Sequence, residues 1–239
     1  MSELHAVAHR MVEKGKGILA ADESTPTCTK RFESISTEST AYSRNYYRNL
    51  LLTSKGIEKF ISGVILFDET FHQSELKTEQ KFPEYLSNLG ILPGIKVDQG
   101  LEDFADGEKL TKGLDGLSER LNNYYSHGAR FAKWRAVINI GENLPSADCI
   151  EANANSLAKY ALACQQSNLV PIVEPEVLMD GSHTIDQSFD ATSKALNAVF
   201  DKLQKHNVSL QGIVLKPNMV LSGYDLSLIH ISEPTRPLE

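Results

Sequence analysis

The sequence lacks the residue patterns of disulfide scaffolds, metal centres and membrane spans. Its three cysteines, Cys28, Cys149 and Cys164, are an odd number without metal-ligand spacing, which indicates reduced thiols. The N-terminus contains neither the apolar core of a signal peptide nor a transmembrane run. These absences predict a cytoplasmic location.

An excess of positive charge is also missing. The formal net charge is -7 over 239 residues, which argues against binding to nucleic acid or to a membrane surface. A local cationic pocket can still bind a small anionic substrate. The length allows one large domain or two small ones, and no composition shift marks a boundary.

Six short apolar segments that end in charged residues are the main pattern present. They begin near residues 17, 63, 94, 130, 171 and 212, and a helical pattern follows each of the first five. Alternating strands and helices predict a parallel sheet covered by helices, as in a barrel or a doubly wound sheet. No Gly-rich phosphate fingerprint follows the first segment, which argues against a Rossmann sheet.

A (β/α)₈ barrel needs eight such units, and the sequence supplies about six. We therefore predict an incomplete TIM barrel of the α/β class over residues 1–225. The remaining residues, 226–239, have no helical period and two late prolines, and we expect them to form a separate, disordered tail. The segment from Ser24 to Thr29 is predicted to be a polar loop.

Charged residues two positions apart recur at the predicted strand ends. Because side chains alternate along a strand, such residues share a face. Each pair alone is explained by a structural ion pair, but buried charge at nearly every strand end is costly and favours a functional site. The three pairs are Lys96 with Asp98, Lys133 with Arg135, and Glu174 with Glu176. Two further strand ends carry the single charged residues Asp22 and Lys216.

This set suits Schiff-base chemistry. A lysine among other cations becomes a nucleophile toward carbonyls, and carboxylates in different environments divide acid and base work. Four cations can hold phosphate oxygens: Lys30, Arg31, Lys96 and Arg135. None of the seven histidines falls at a predicted strand end, which argues against a metal.

Seven segments stand out, six of them at predicted strands: Leu19–Thr25, Gly63–Phe67, Gly94–Asp98, Leu114–Leu117, Phe131–Arg135, Val173–Glu176 and Leu215–Met219. In order and spacing, these segments closely resemble class I fructose-bisphosphate aldolase. The resemblance extends from about His5 to Gly223. It implies reversible, glycolytic cleavage of fructose 1,6-bisphosphate into dihydroxyacetone phosphate and glyceraldehyde 3-phosphate, without a cofactor. It also implies a homotetramer for the full-length family and leaves the assembly of this chain open.

The resemblance also implies residue roles. Lys216 would form the imine with the C2 ketone, Glu174 would supply the acid for dehydration, and Asp22 would take the C4 hydroxyl proton. Lys133 would balance the charges of the site and Glu176 would orient its neighbours. Substrate or phosphate would be held by four residues: Lys96, Arg135, Lys30 and Arg31.

The sequence departs from the family pattern at its C-terminal end. The family's Ser-Gly-Gly phosphate loop, its phosphate-binding arginine and its terminal tyrosine are not found, and the tail from Leu226 looks like a translated sequencing adaptor. We therefore expect poor folding and little or no turnover, because an open barrel exposes strand edges. Two alternatives remain: another Schiff-base sugar-phosphate aldolase, and a non-catalytic interaction protein.

Overall fold

The computed structural model describes residues 3–105 and 107–226. Most of the predicted tail, residues 227–239, lies outside this range. The strands are β1 Gly17–Ala21, β2 Ile61–Leu66, β3 Leu92–Lys96, β4 Leu101–Ala105, β5 Glu108–Thr111, β6 Phe131–Ile138, β7 Val170–Val177 and β8 Val214–Leu215. The helices are α1 Glu3–Met11, α2 Thr25–Glu33, α3 Ala41–Leu52, α4 Asp68–His72, α5 Phe82–Asn88, α6 Leu117–Ser126, α7 Ala147–Gln166 and α8 Ile185–Lys205.

Six of these strands form one parallel sheet, in the order β1-β2-β3-β6-β7-β8. Helices connect the strands and cover the sheet, so the prediction of an incomplete (β/α)₈ barrel is confirmed. In the described ranges, β1 and β8 are the two edges of this sheet. All six strands run in the same direction, so their carboxyl ends meet on one side.

The core lies between the sheet and its helices. Trp134 of β6 is fully buried and stacks on Tyr160 of α7, with ring centroids 5.4 Å apart. The Tyr160 hydroxyl donates to the carbonyl of Ile172, which joins α7 to β7. Cys164 is fully buried on the same helix as part of this core, and burial raises the pKa of its thiol.

The predicted loop from Ser24 to Thr29 is wrong, because α2 begins at Thr25. Pro26 lies in the first turn, where its missing N–H costs nothing. Cys28 and Phe32 are its buried residues, one helical turn apart, and they attach an otherwise polar helix to the core. The helix was not predicted because most of its residues are polar, as in a loop.

The hairpin of β4 and β5 was not predicted. Its two strands pair only with each other, and every residue of β4 is exposed. The buried carboxylate of Glu108 accepts hydrogen bonds from the backbone N–H and hydroxyl of Ser146, at 2.7 and 2.6 Å. The hairpin is thereby attached to the N-terminus of α7.

The ring of Phe131 occupies the space that two glycines leave on neighbouring strands. Gly94 of β3 pairs with Phe131 of β6, and a Cβ at Gly94 would overlap the ring. A Cβ at Gly63 of β2 would lie 2.9 Å from the ring edge. The two glycines are therefore required by close packing and not by backbone conformation.

We expect Gly94→Ala to destabilise the protein by about 1–3 kcal/mol or more, because the fully buried ring must shift. Urea unfolding measures the change. Gly17→Ala is the matched control, since a Cβ at that strand position meets no atom within 4 Å. Equal stability of the two variants would contradict this account of Phe131.

No helix in the described ranges is long and apolar enough to cross a membrane.

Candidate active site

Four charged side chains form a line across the parallel sheet. Asp22 follows β1, Lys133 lies on β6, Glu174 lies on β7 and Lys216 follows β8. The Lys133 amine lies 3.1 Å from Oδ2 of Asp22 and 3.3 Å from Oε2 of Glu174. The other oxygen of Glu174 contacts the amine of Lys216. Acids and amines therefore alternate, and the carboxylate of Glu174 is shared between two lysines.

Burial differs sharply along this line. Side chains of Glu174 and Lys133 are 3% and 10% exposed, whereas that of Lys216 is 50% exposed. Burial acts to lower the pKa of Lys133, but the nearby carboxylates of Asp22 and Glu174 outweigh it and leave the pKa raised. Lys133 is therefore held as an ammonium ion, whereas the amine of Lys216 is accessible to a substrate.

The raised pKa of Lys133 predicts a pH dependence of stability. The charge contributes fully below the ordinary lysine value of 10.5 and is lost as the pH rises through the higher pKa of the folded state. Unfolding free energies of the wild type and Lys133→Gln should be compared from about pH 8 to about pH 12. The difference in unfolding free energy between the two proteins should be constant at lower pH and should shrink above the ordinary lysine pKa of 10.5. A difference that stays constant to the alkaline limit would argue against the assigned contacts.

Two further pairs flank this line. Lys96 donates to Oδ1 of Asp98 at 2.6 Å, and Arg135 donates to Oε2 of Glu176 at 2.9 Å. Arg135, Glu176 and Lys216 line one cleft of about 380 Å³, a size that accommodates a small molecule. The eight charged residues thus divide into one continuous line, which is buried except at Lys216, and two separate ion pairs, of which Arg135–Glu176 is the more exposed.

The basic pair on α2 has a different environment. Lys30 is exposed, and Arg31 contacts the carboxylate of Glu23, which also contacts the buried Arg48. Burial acts to raise the pKa of Glu23, but the charge of Arg48, with Arg31 contributing less, lowers it. Arg31 therefore lies in an ion-pair cluster of its own.

Two residues of this region were not singled out from the sequence. Arg48 holds Glu23, and Asn218 connects the segment after Lys216 to neighbouring elements. Asn218 stands two positions after Lys216. The same spacing identified the charged pairs in the sequence, so it could also have identified Asn218. Arg48 gave no such signal, because its partner is distant in sequence. The sequence also placed cations around Lys216, whereas the group touching its amine is a carboxylate.

This arrangement provides the elements of imine chemistry. An accessible amine lies against a buried carboxylate that can exchange a proton with it. A second lysine, Lys133, whose pKa is raised, lies at the far oxygen and compensates the charge of that carboxylate. Cationic groups beside the cleft suit an anionic substrate.

Comparisons with known proteins give a consistent answer. A family model described as fructose-bisphosphate aldolase class-I matches residues 3–234. A probable fructose-bisphosphate aldolase class 1 from Xanthomonas campestris is 52% identical over 225 residues, covering 93% of this chain and 67% of the relative. A fructose-bisphosphate aldolase from Dictyostelium discoideum is 50% identical over 236 residues, covering 97% and 66% respectively.

A solved structure agrees with these matches. It is a fructose-bisphosphate aldolase from Plasmodium falciparum in complex with TRAP and a small-molecule inhibitor, with a TM-score of 0.91 and 50% identity. The match covers 94% of this chain and 66% of that one. The chain thus spans about two thirds of the length of these relatives.

Proposed function

This chain belongs to the class I fructose-bisphosphate aldolases, the Schiff-base, metal-independent lyases of glycolysis, and we propose that Lys216 is its imine-forming nucleophile. The substrate would be fructose 1,6-bisphosphate, cleaved between C3 and C4. The main support is the carboxylate of Glu174, whose oxygens contact the amines of Lys216 and Lys133.

Imine formation comes first. The ammonium group of Lys216 first gives a proton to Glu174, and the neutral amine then attacks the C2 ketone. A proton passes from the attacking nitrogen to the ketone oxygen, which gives the carbinolamine. Glu174 donates its proton to the carbinolamine hydroxyl, which leaves as water and gives the protonated imine. Burial of Glu174 beside Lys133 supports this role, since a carboxylate with a fixed cation keeps its position through both transfers.

Cleavage follows from the positive charge on the imine. Asp22 takes the C4 hydroxyl proton, the C3–C4 bond breaks, and its electron pair moves into the imine to form an enamine. The aldehyde product leaves first; protonation and hydrolysis of the enamine then release dihydroxyacetone phosphate. The 3.1 Å contact of Asp22 with the Lys133 amine supports this role, because it holds the carboxylate in place.

Four cations are proposed to hold the substrate. Arg135 has the best support, because it lines the same cleft as Lys216, with Glu176 orienting it from 2.9 Å. Lys96 is oriented by Asp98 in the same way. Lys30 and Arg31 lie on α2, and Arg31 would have to exchange Glu23 for a phosphate.

We expect this chain to turn over substrate slowly. The Lys216 side chain is half exposed, and water weakens the electrostatic interactions on which such a site depends. Among the described residues, no strand pairs with the outer edges of β1 and β8. The Xanthomonas relative, assayed beside it, provides the reference rate.

Borohydride trapping tests the proposal. Dihydroxyacetone phosphate is added, borohydride reduces any imine to a stable secondary amine, and peptide mass spectrometry locates the adduct. We expect one adduct, at Lys216. An adduct at another lysine, or none while the relative is labelled, would refute the assignment. Protection by other phosphosugars tests the alternative of a different Schiff-base aldolase.

We also propose a cytoplasmic location. The resemblance implies a homotetramer for the full-length family and leaves the assembly of this chain open. Fractionation of expressing cells tests the location, and recovery with membranes would contradict it. Light scattering of the purified chain measures its assembly.

A further inference from the structure

The nucleophile follows an unusually short strand. Only Val214 and Leu215 form β8, and the N–H of Lys216 donates the next hydrogen bond, to the carbonyl of Val173 at 2.9 Å. Pro217 follows and has no N–H to continue the pairing. The backbone ladder therefore fixes the chain up to Lys216 and provides no donor at the next residue.

Asn218 supplies the missing attachment. Its Oδ1 accepts from the N–H of Val177 at 3.3 Å, at the end of β7. Its Nδ2 donates to the hydroxyl of Thr192 at 3.0 Å, and Thr192 is a buried residue of α8. A third bond, from Nδ2 to the carbonyl of Met219, fixes the amide within its own loop. One side chain thus joins the segment after Lys216 to two neighbouring elements.

We propose that Asn218 is a positioning residue that holds Lys216 against Glu174; this rests on the proposed function of Lys216. Glu174 and Val177 lie on the same strand, β7. Asn218 therefore sets the distance between the nucleophile and its acid by bonding to the strand that carries the acid. Asn218 lines the same cleft as Lys216, and the side-chain hydrogen bonds described above all go to protein groups. A shift of about 1 Å between reacting groups can cost about 10²-fold in rate, so this attachment should matter kinetically.

Trapping kinetics test this role. Trapping by dihydroxyacetone phosphate and borohydride should be followed against ligand concentration in Asn218→Ala, Asn218→Asp and the matched surface control Asn122→Ala. We expect Asn218→Ala to lower the maximal rate about 10–100-fold, with half-saturation within about 2-fold of the wild type. Asn218→Asp keeps the acceptor for Val177 and should be intermediate. Asn122→Ala should match the wild type.

A double-mutant cycle separates positioning from a general structural effect. If Asn218 acts by holding Lys216 against Glu174, its replacement should slow trapping far less in a Glu174→Gln background. If the two substitutions act independently, the fold-reduction in trapping rate of the double variant equals the product of the two single reductions. That result would overturn the proposal. Thr192→Val, which removes one of the two attachments, should slow trapping less than Asn218→Ala.

A second probe distinguishes failure of the positioning role from failure of the proposed function. If the wild type is not labelled by dihydroxyacetone phosphate, pyridoxal 5′-phosphate serves as a second imine-forming probe of Lys216. Slower labelling of Lys216 in Asn218→Ala, with faster hydrogen exchange at the Val177 amide, would then still support positioning. Unchanged labelling in the variant would overturn it under either probe.

Discussion

Lys216→Met is expected to abolish imine formation completely. No other side chain on the line Asp22–Lys133–Glu174–Lys216 combines an amine with access to a ligand, since Lys133 is buried and held as an ammonium ion. Any cleavage should fall by at least ~10³-fold, the scale expected when a nucleophile is removed. Trapping followed by mass spectrometry should show no adduct.

Stability provides the control for this variant. Because the Lys216 side chain is half exposed, its loss should change the unfolding free energy by less than about 1 kcal/mol. Lys205→Met removes another exposed lysine that pairs with a carboxylate, Asp201 on the same helix, and should be labelled like the wild type. Persistent labelling of Lys216→Met at the wild-type rate would end the case for this nucleophile.

Glu174→Gln is expected to have the second largest effect. The change keeps the shape but removes the charge that two amines share and the oxygen that exchanges protons with the imine intermediates. Loss of a general acid–base group typically lowers rates by about 10²–10⁴-fold, and we expect trapping to slow within that range.

The same variant should also be less stable. Lys133 would remain buried with Asp22 as its counter-ion, and a loss of about 1–3 kcal/mol is expected for a weakened charged contact of this kind. Glu176→Gln is the comparison, because Glu176 pairs with the exposed Arg135 and its loss should cost less than about 1 kcal/mol. A trapping rate of Glu174→Gln equal to that of the wild type would show that the carboxylate takes no part in imine formation.

The parallel sheet could be predicted because its inner strands, β2, β3, β6 and β7, are mostly buried and largely apolar. The hairpin could not, because β4 is exposed and its residues carry no burial pattern. Helix α2 was missed for a related reason: only Cys28 and Phe32 anchor it, too few to produce a clear helical period.

The strand-end residues of the candidate site could also be found from the sequence. Alternation along β6 predicts one direction for Lys133 and Arg135, but it could not show that one is buried and the other exposed. That difference depends on which side chains other strands bring near. Asp22 and Glu174 form ion pairs with Lys133, whereas Arg135 forms its ion pair with Glu176. The contact of Arg31 with Glu23 is likewise a result of tertiary packing.

The packing of Phe131 against Gly63 and Gly94 has an evolutionary consequence. A larger residue at either glycine becomes tolerable once the ring is exchanged for a smaller side chain, so the three positions form one unit of mutational compensation. Lineages of this fold should therefore drift at these sites by paired exchange and seldom by single steps. An engineer who wishes to widen this end of the sheet would have to redesign the trio at once.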